Sequence, residues 1–131
     1  MCSLRPGLAG TSERIRVSSI IDRYLEHARI FYFQNGSTPV CLLASADWMQ
    51  RNFDRRVEIA FPVIDPQLQG KLKRILEMQL GDTVKGWWMQ PDGTYVRRRD
   101  EGVSPVRSQE RLYELIEAEN RIPAARASRM D

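Results

Sequence analysis

The sequence has 131 residues, 42% of them hydrophobic and 28% charged, which suits one globular domain with a core of its own and excludes a disordered chain. No apolar run approaches the roughly 20 residues needed to cross a bilayer, and Met1 leads straight into Cys-Ser-Leu-Arg-Pro-Gly without a leader pattern. The expected location is therefore cytoplasmic, with membrane association as the alternative.

Residues 2–11 contain Pro6, Gly7 and Gly10 and read as an irregular opening loop. Ser12 is placed as a helix N-cap. Val17, Ile20, Ile21, Tyr24, Leu25 and Ala28 then recur at helical spacing, predicting a helix over 13–27 with His27 at its C-terminal end. Arg29–Phe33 is β-branched and aromatic and predicts a strand; Asn35-Gly36 turns the chain, and Val40–Ala44 returns as a second strand. Ser45–Asp54 reads as a loop or short helical turn. Arg56–Phe61 alternates into a third strand, closed by Pro62. Asp65-Pro66 starts a helix that runs to Leu80. Strands over 83–89 and 94–98 flank the turn at Pro91-Asp92-Gly93, and a last helix covers 108–119. Helices interleaved with apolar strands predict an α/β domain, a mixed β-sheet covered by helices, over residues 1–120; 121–131 reads as a disordered tail.

Net charge is only +3, yet 17 of the 20 basic residues are arginine, whose planar fork grips phosphate oxygens in pairs. Genomic base composition explains the same bias, so the positions of the arginines must decide. Cys2 and Cys41 fit no metal-ligand spacing, and Cys41, inside Val40–Leu43, is expected to be a small core residue; no metal site is expected within the chain. Three segments stand out: His27-Ala28-Arg29 at a helix-to-strand junction, Ser45-Ala46-Asp47 at a strand end, and Arg55-Arg56-Val57-Glu58 on the next strand. A histidine beside arginines, a serine and a glutamate suits phosphate binding and proton or phosphoryl exchange. A lone histidine at a helix end is more often a cap or a surface residue, since its cation suits the helix dipole.

The stretches CSLRPG, SIIDRYLEHARIFYF, ASADWMQRNFDRRVEIAFPVIDP and VRSQERL closely resemble the C-terminal end of bacterial polyphosphate kinases, from Cys2 to Glu117. That family belongs to the phospholipase D superfamily by fold. The superfamily's signature is a histidine, a lysine two residues on, then a Gly-Ser-x-Asn segment and a glutamate. Here His27 holds the histidine position, Arg29 replaces the lysine, Ala44-Ser45-Ala46-Asp47 replaces Gly-Ser-x-Asn, and Glu58 follows Ser45 by 13 residues. The departures at Arg29 and Asp47 argue against a phosphodiesterase and resemble the polyphosphate kinase branch.

The resemblance implies reversible transfer of the terminal phosphate of ATP to inorganic polyphosphate, with Mg²⁺, through a phosphohistidine in a preceding domain that this chain lacks. The histidine matching His27 faces that phosphohistidine and contacts the nucleotide phosphates. Residues associated with Mg²⁺ are expected outside this chain, and the chain alone is expected to be inactive. Implied partners are ATP or ADP, polyphosphate, the N-terminal domains of the same enzyme and a homo-oligomer of it, with no nucleic acid.

The expected site is His27 and Glu58 as catalytic groups and His27, Arg29, Ser45 and Arg56 on ATP or phosphate. Glu58 is expected to reach a His27 nitrogen, directly or through one water, and fix its tautomer. Asp47 and Asn52 are expected to shape their loop. Arg55 and Arg56, adjacent on a strand, would point to opposite faces, and Arg56 would either serve the cleft or pair with Glu58. Trp87-Trp88 reads as packing rather than base stacking, and Arg97-Arg98-Arg99 as a solvated face or a polyphosphate track. The alternative functions are a polyphosphate- or nucleotide-binding assembly module without turnover and a homodimeric phospholipase D-like nuclease, which would want lysine at position 29.

Overall fold

A computed structural model describes residues 4–100 and 102–121. The elements in chain order are β1 (Ser18–Ile20), β2 (Ile30–Phe33), β3 (Val40–Ala44), α1 (Gln50–Arg55), β4 (Ala60–Pro62), α2 (Pro66–Leu80), β5 (Gly86–Met89), β6 (Tyr95–Arg97) and α3 (Ser108–Asn120). The α/β class holds. Its strands form two antiparallel three-stranded sheets, β1-β5-β6 and β2-β3-β4, in place of one mixed sheet. The chain divides into two compact units, residues 1–25 with 78–131 and residues 26–77.

In the first unit the expected helix over 13–27 is absent, and β1 stands in its place, with Ser18 opposite Trp88 and Ile20 opposite Gly86. Apolar periodicity suggested a helix, but Val17, Ser18, Ser19, Ile20 and Ile21 are poor helix formers, and strand pairing satisfies their backbone instead. The next turn is fixed by side chains: Gln109 caps both the N–H and the C=O of Tyr24, at 3.0 and 2.8 Å. Asp22 takes two bonds from the Arg107 guanidinium, at 2.8 and 2.6 Å. Ser12 caps no helix; its hydroxyl ties Leu8 to Arg5 within the opening loop.

The centre of this unit is a carboxylate. Asp82, 1% exposed, accepts from the backbone N–H groups of Val84, Lys85, Gly86 and Ser108 and from the Ser108 hydroxyl. Burial pushes its carboxyl up, but the bonds from Ser108, Lys85 and Val84 outweigh that and hold it below the ordinary range. Trp87 and Trp88 lie half-buried on β5, as packing residues do, and the Arg98 guanidinium stacks 5.2 Å from the Trp88 ring centroid. Arg97 donates to the Val84 carbonyl at 2.8 Å, and Arg98 pairs with Asp100 at 2.6 Å and bonds the Leu80 carbonyl.

The second unit is the β2-β3-β4 sheet with α1 and most of α2. Asn35 and Gly36 adopt φ of +43° and +63° and turn the chain within residues 34–39, the loop that joins β2 to β3; the register runs from Ile30 opposite Leu43 to Phe33 opposite Val40. β4 is shorter and later than expected, and Pro62, expected to close the strand, is instead its last residue, opposite Leu42. An edge strand tolerates proline, whose missing N–H is not needed by a neighbour. Asp65 caps α2 through the Gln67 N–H at 2.7 Å, with Pro66 in the first turn. Among the described residues the buried apolar side chains are Cys41, Ala46 and Val63. The expected core of its own is therefore small, while Leu25, Trp48, Val57 and Ile64 are more than three-quarters exposed (78–97%).

Candidate functional site

The open end of the β2–β3 hairpin gathers most of the sequence candidates. The ladder continues one step past the strands, where the Ala44 N–H donates to the Arg29 carbonyl at 3.1 Å. Arg29 and Ala44 are thus opposite one another, which brings His27-Ala28-Arg29 against Ser45-Ala46-Asp47. Arg29 Nε donates to Asp47 Oδ1 at 2.9 Å, and Arg29 Nη2 lies 2.6 Å from His27 Nε2. A guanidinium only donates, so the contact is a hydrogen bond in the tautomer whose Nε2 accepts. The hydrogen bond from Arg29 holds the Asp47 carboxyl below its usual range, and the same bond raises Arg29 further above its already high value.

Ser45 is tied to the other side of β3. Its N–H donates to the Ile59 carbonyl at 3.0 Å, its Oγ accepts from the Ile59 N–H at 3.1 Å, and its hydroxyl donates to the Glu58 carboxylate. The expected direct bond between Glu58 and His27 is not formed: the bonding partner of His27 is Arg29 and that of Glu58 is Ser45. The reason is topological. Glu58 precedes β4 instead of lying on a strand, and β4 pairs with β3, so β3 stands between Glu58 and the Arg29 strand.

Arg55 ends α1 and Arg56 is its extended C-cap, so the two are not strand neighbours on opposite faces. Among the described residues Arg56 makes no salt bridge to Glu58. Both line a concavity of about 400 Å³ with Phe31, Phe33, Leu42 and Trp48. Trp48 stacks on Phe31 with ring centroids 5.5 Å apart. Asn52 does shape its loop, donating from Nδ2 to the Asp47 carbonyl at 2.9 Å.

Sequence reasoning missed the ion pair between Arg29 and Asp47. No local signal marks it: it follows from the observed register, Ile30 opposite Leu43, which places the segment after Ala44 beside Arg29. The residues present do not fit a Mg²⁺ site by themselves. Asp47 and Glu58 are already engaged by Arg29 and Ser45, and no group of three or more His, Cys, Asp or Glu among the described residues is arranged around a common point. No helix among the described residues is long and apolar enough to cross a membrane.

Fold and site together define an α/β domain with an arginine–histidine cluster at the open end of a hairpin. The profile of the family described as polyphosphate kinase C-terminal domain 2 matches residues 1–121. Polyphosphate kinase of Rhodopirellula baltica is 50% identical over 124 residues, covering 92% of this chain and 14% of that protein. Polyphosphate kinase 1 of Chlorobaculum tepidum is 51% identical over 112 residues, covering 86% of this chain and 16% of that protein. The crystal structure of polyphosphate kinase from Porphyromonas gingivalis superposes with a TM-score of 0.78 at 38% identity, over 82% of this chain and 17% of that one. The chain belongs to the polyphosphate kinase C-terminal domain family. It spans about one-seventh to one-sixth of the length of these curated relatives (14–16%).

Proposed function

We propose that this chain supplies part of the phosphate-binding wall of a polyphosphate kinase site, within a phospholipase D-like domain over residues 1–120. In this reading the terminal phosphoryl group of ATP passes to a histidine nitrogen on another domain. The bond to ADP breaks as the P–N bond forms. A terminal polyphosphate oxygen then takes the phosphoryl group, breaking P–N. Arg29 and His27 contact the phosphates of ATP and polyphosphate, and Arg56 approaches from the neighbouring loop. The observation that carries the reading is the Arg29 guanidinium, anchored at Nε by Asp47 and placed against the chain's only histidine. Its Nη1 has no partner among the described residues and remains free for a phosphate oxygen.

Glu58 takes a different role from the one its spacing suggested. It receives the only proton Ser45 has to donate, so Ser45 can donate to phosphate only after leaving Glu58. The pair joins the end of β3 to the segment before β4 and sets the floor beside Arg29.

Binding of tripolyphosphate and of ATP to the purified chain, measured by calorimetry, tests the reading. Arg29→Ala is expected to weaken tripolyphosphate binding about tenfold, the scale of a charge-assisted pair of bonds. Raising ionic strength is expected to weaken it steeply. Unchanged affinity in the variant removes Arg29 from the site. The chain alone is expected to make no polyphosphate from ATP, because transfer needs a nucleophile in place; robust synthesis would overturn the division of the site between domains.

A further inference from the structure

Asp47 makes two kinds of bond, and they belong to different parts of the residue. Its main-chain carbonyl shapes the loop, accepting from the Asn52 side chain at 2.9 Å and from the Met49 N–H at 2.7 Å. Its carboxylate takes no part in that loop and instead accepts from Arg29 Nε at 2.9 Å. Nε is the guanidinium donor nearest the aliphatic stem. Because the guanidinium is planar and rigid, fixing Nε fixes the direction of the other nitrogens. One of these, Nη2, meets His27 Nε2 at 2.6 Å.

We propose that Asp47 is a positioning residue for the phosphate site: through Arg29 it holds His27 in the Nδ1–H tautomer, leaving Nδ1–H as the donor the ring can offer an anion. The importance of this for phosphate rests on the function proposed above; the relay itself does not. The Arg29 side chain is largely covered at 19% exposure, which suits a group in the middle of a relay, whereas Asp47 at 47% is partly screened by solvent. The other charges acting on the pair are Glu58 on Arg29 and His27 and Arg51 on Asp47. Glu58 is itself held by Ser45. Asp47 is thus the carboxylate bonded to the guanidinium.

His27 is the only histidine in the 131-residue chain, so the imidazole nitrogen resonances of the intact chain report a single site. Histidine side chains in water favour the Nε2–H tautomer, and the relay reverses that preference. The wild-type chain, with its ring neutral, is expected to show mainly Nδ1–H. Asp47→Ala is expected to move the tautomer ratio about threefold toward Nε2–H, the scale of an exposed paired contact. Arg29→Met is expected to move it at least as far. Asp47→Asn keeps the size and an acceptor oxygen but loses the charge, and is expected to fall between wild type and Asp47→Ala. It also serves as the readout should Asp47→Ala fail to fold, which circular dichroism would show.

The proposal is overturned if the wild-type ring is mainly Nε2–H. It is equally overturned if Arg29→Met shifts the ratio while both Asp47 variants leave it at the wild-type value. A purely loop-shaping Asp47 would leave the ratio unmoved, since the loop bonds come from its main chain. None of these spectra needs a phosphate ligand, so the relay and the proposed function can fail separately.

Discussion

Two aspartates, one in each compact unit, show how the same group serves different ends. Asp82 is 1% exposed and bonded to backbone N–H groups from the start of β5 and from α3. Asp47 is 47% exposed and bonded by its carboxylate to one arginine side chain. Backbone donors cannot turn away without unfolding the segment that carries them, so a carboxylate bonded to them is scaffold. A side-chain donor can exchange partners, so a carboxylate bonded to one can tune a site. Unit 1 uses Asp82 and Ser108 to hold short strands and turns together, while in unit 2 the buried polar side chain among the described residues is Asn52, which braces its own loop, and the charged groups of the site are more exposed than Asp82.

The largest effect that tests this contrast is expected from Asp82→Ala, which strands buried N–H groups at one stroke. A loss of about 3 kcal/mol or more is expected in urea unfolding. A loss below about 1 kcal/mol would show that Asp82 is no keystone.

Gly86→Ala comes next. A Cβ there would meet the Asp82 carbonyl oxygen far inside van der Waals contact, and backbone must shift to admit it. About 2 kcal/mol is expected in the same assay.

Asp22 gives a smaller, pH-dependent effect. The Arg107 hydrogen bond lowers its carboxyl from 3.8 to about 2. A carboxyl with a depressed folded value contributes stability that is present above its unfolded value and lost as pH falls through the folded one. Stability should therefore decline between about pH 4 and pH 2, and Asp22→Asn should flatten that part of the profile. An identical acid limb in the variant would assign the loss to other carboxyls.

The smallest stability effect is expected at the site. His27 is exposed, so His27→Ala should leave the unfolding midpoint within about 0.5 kcal/mol of wild type while weakening tripolyphosphate binding. A large stability loss there would make His27 scaffold and erase the distinction between the units.

The sequence disclosed the features whose determinants are local. Asn35-Gly36 needs only its own φ angles, Asp65-Pro66 its own cap, and Cys41 its apolar neighbours; each is found where expected. The features it misled on depend on distant partners. The spacing of Val17, Ile20 and Ile21 fits a helix, yet β5, far along the chain, pairs with that segment instead. Glu58 stands at the superfamily spacing after Ser45, but spacing does not say which side of β3 the chain passes, and it passes on the side away from β2. The pairing of Arg29 with Asp47 spans 18 positions and is visible only once the hairpin register is known. Sparse burial of apolar side chains was equally hidden, because composition counts residues without saying what covers them.

The β2–β3 hairpin also offers an engineering handle. Its closed end, at Asn35-Gly36, lies about 20 Å along the chain from Arg29 at the open end, at about 3.3 Å per residue. Residues 34–38 are exposed at that tip. Lengthening a surface loop costs little closure entropy, on the order of 0.6 kcal/mol for each doubling. Once the turn is replaced, the alternation of side chains along the two strands still selects the register. A short fluorescent or affinity segment grafted at the tip would therefore ride on the same rigid element as the phosphate cluster without covering it. The protein could then be immobilised or labelled on the strands that hold its histidine.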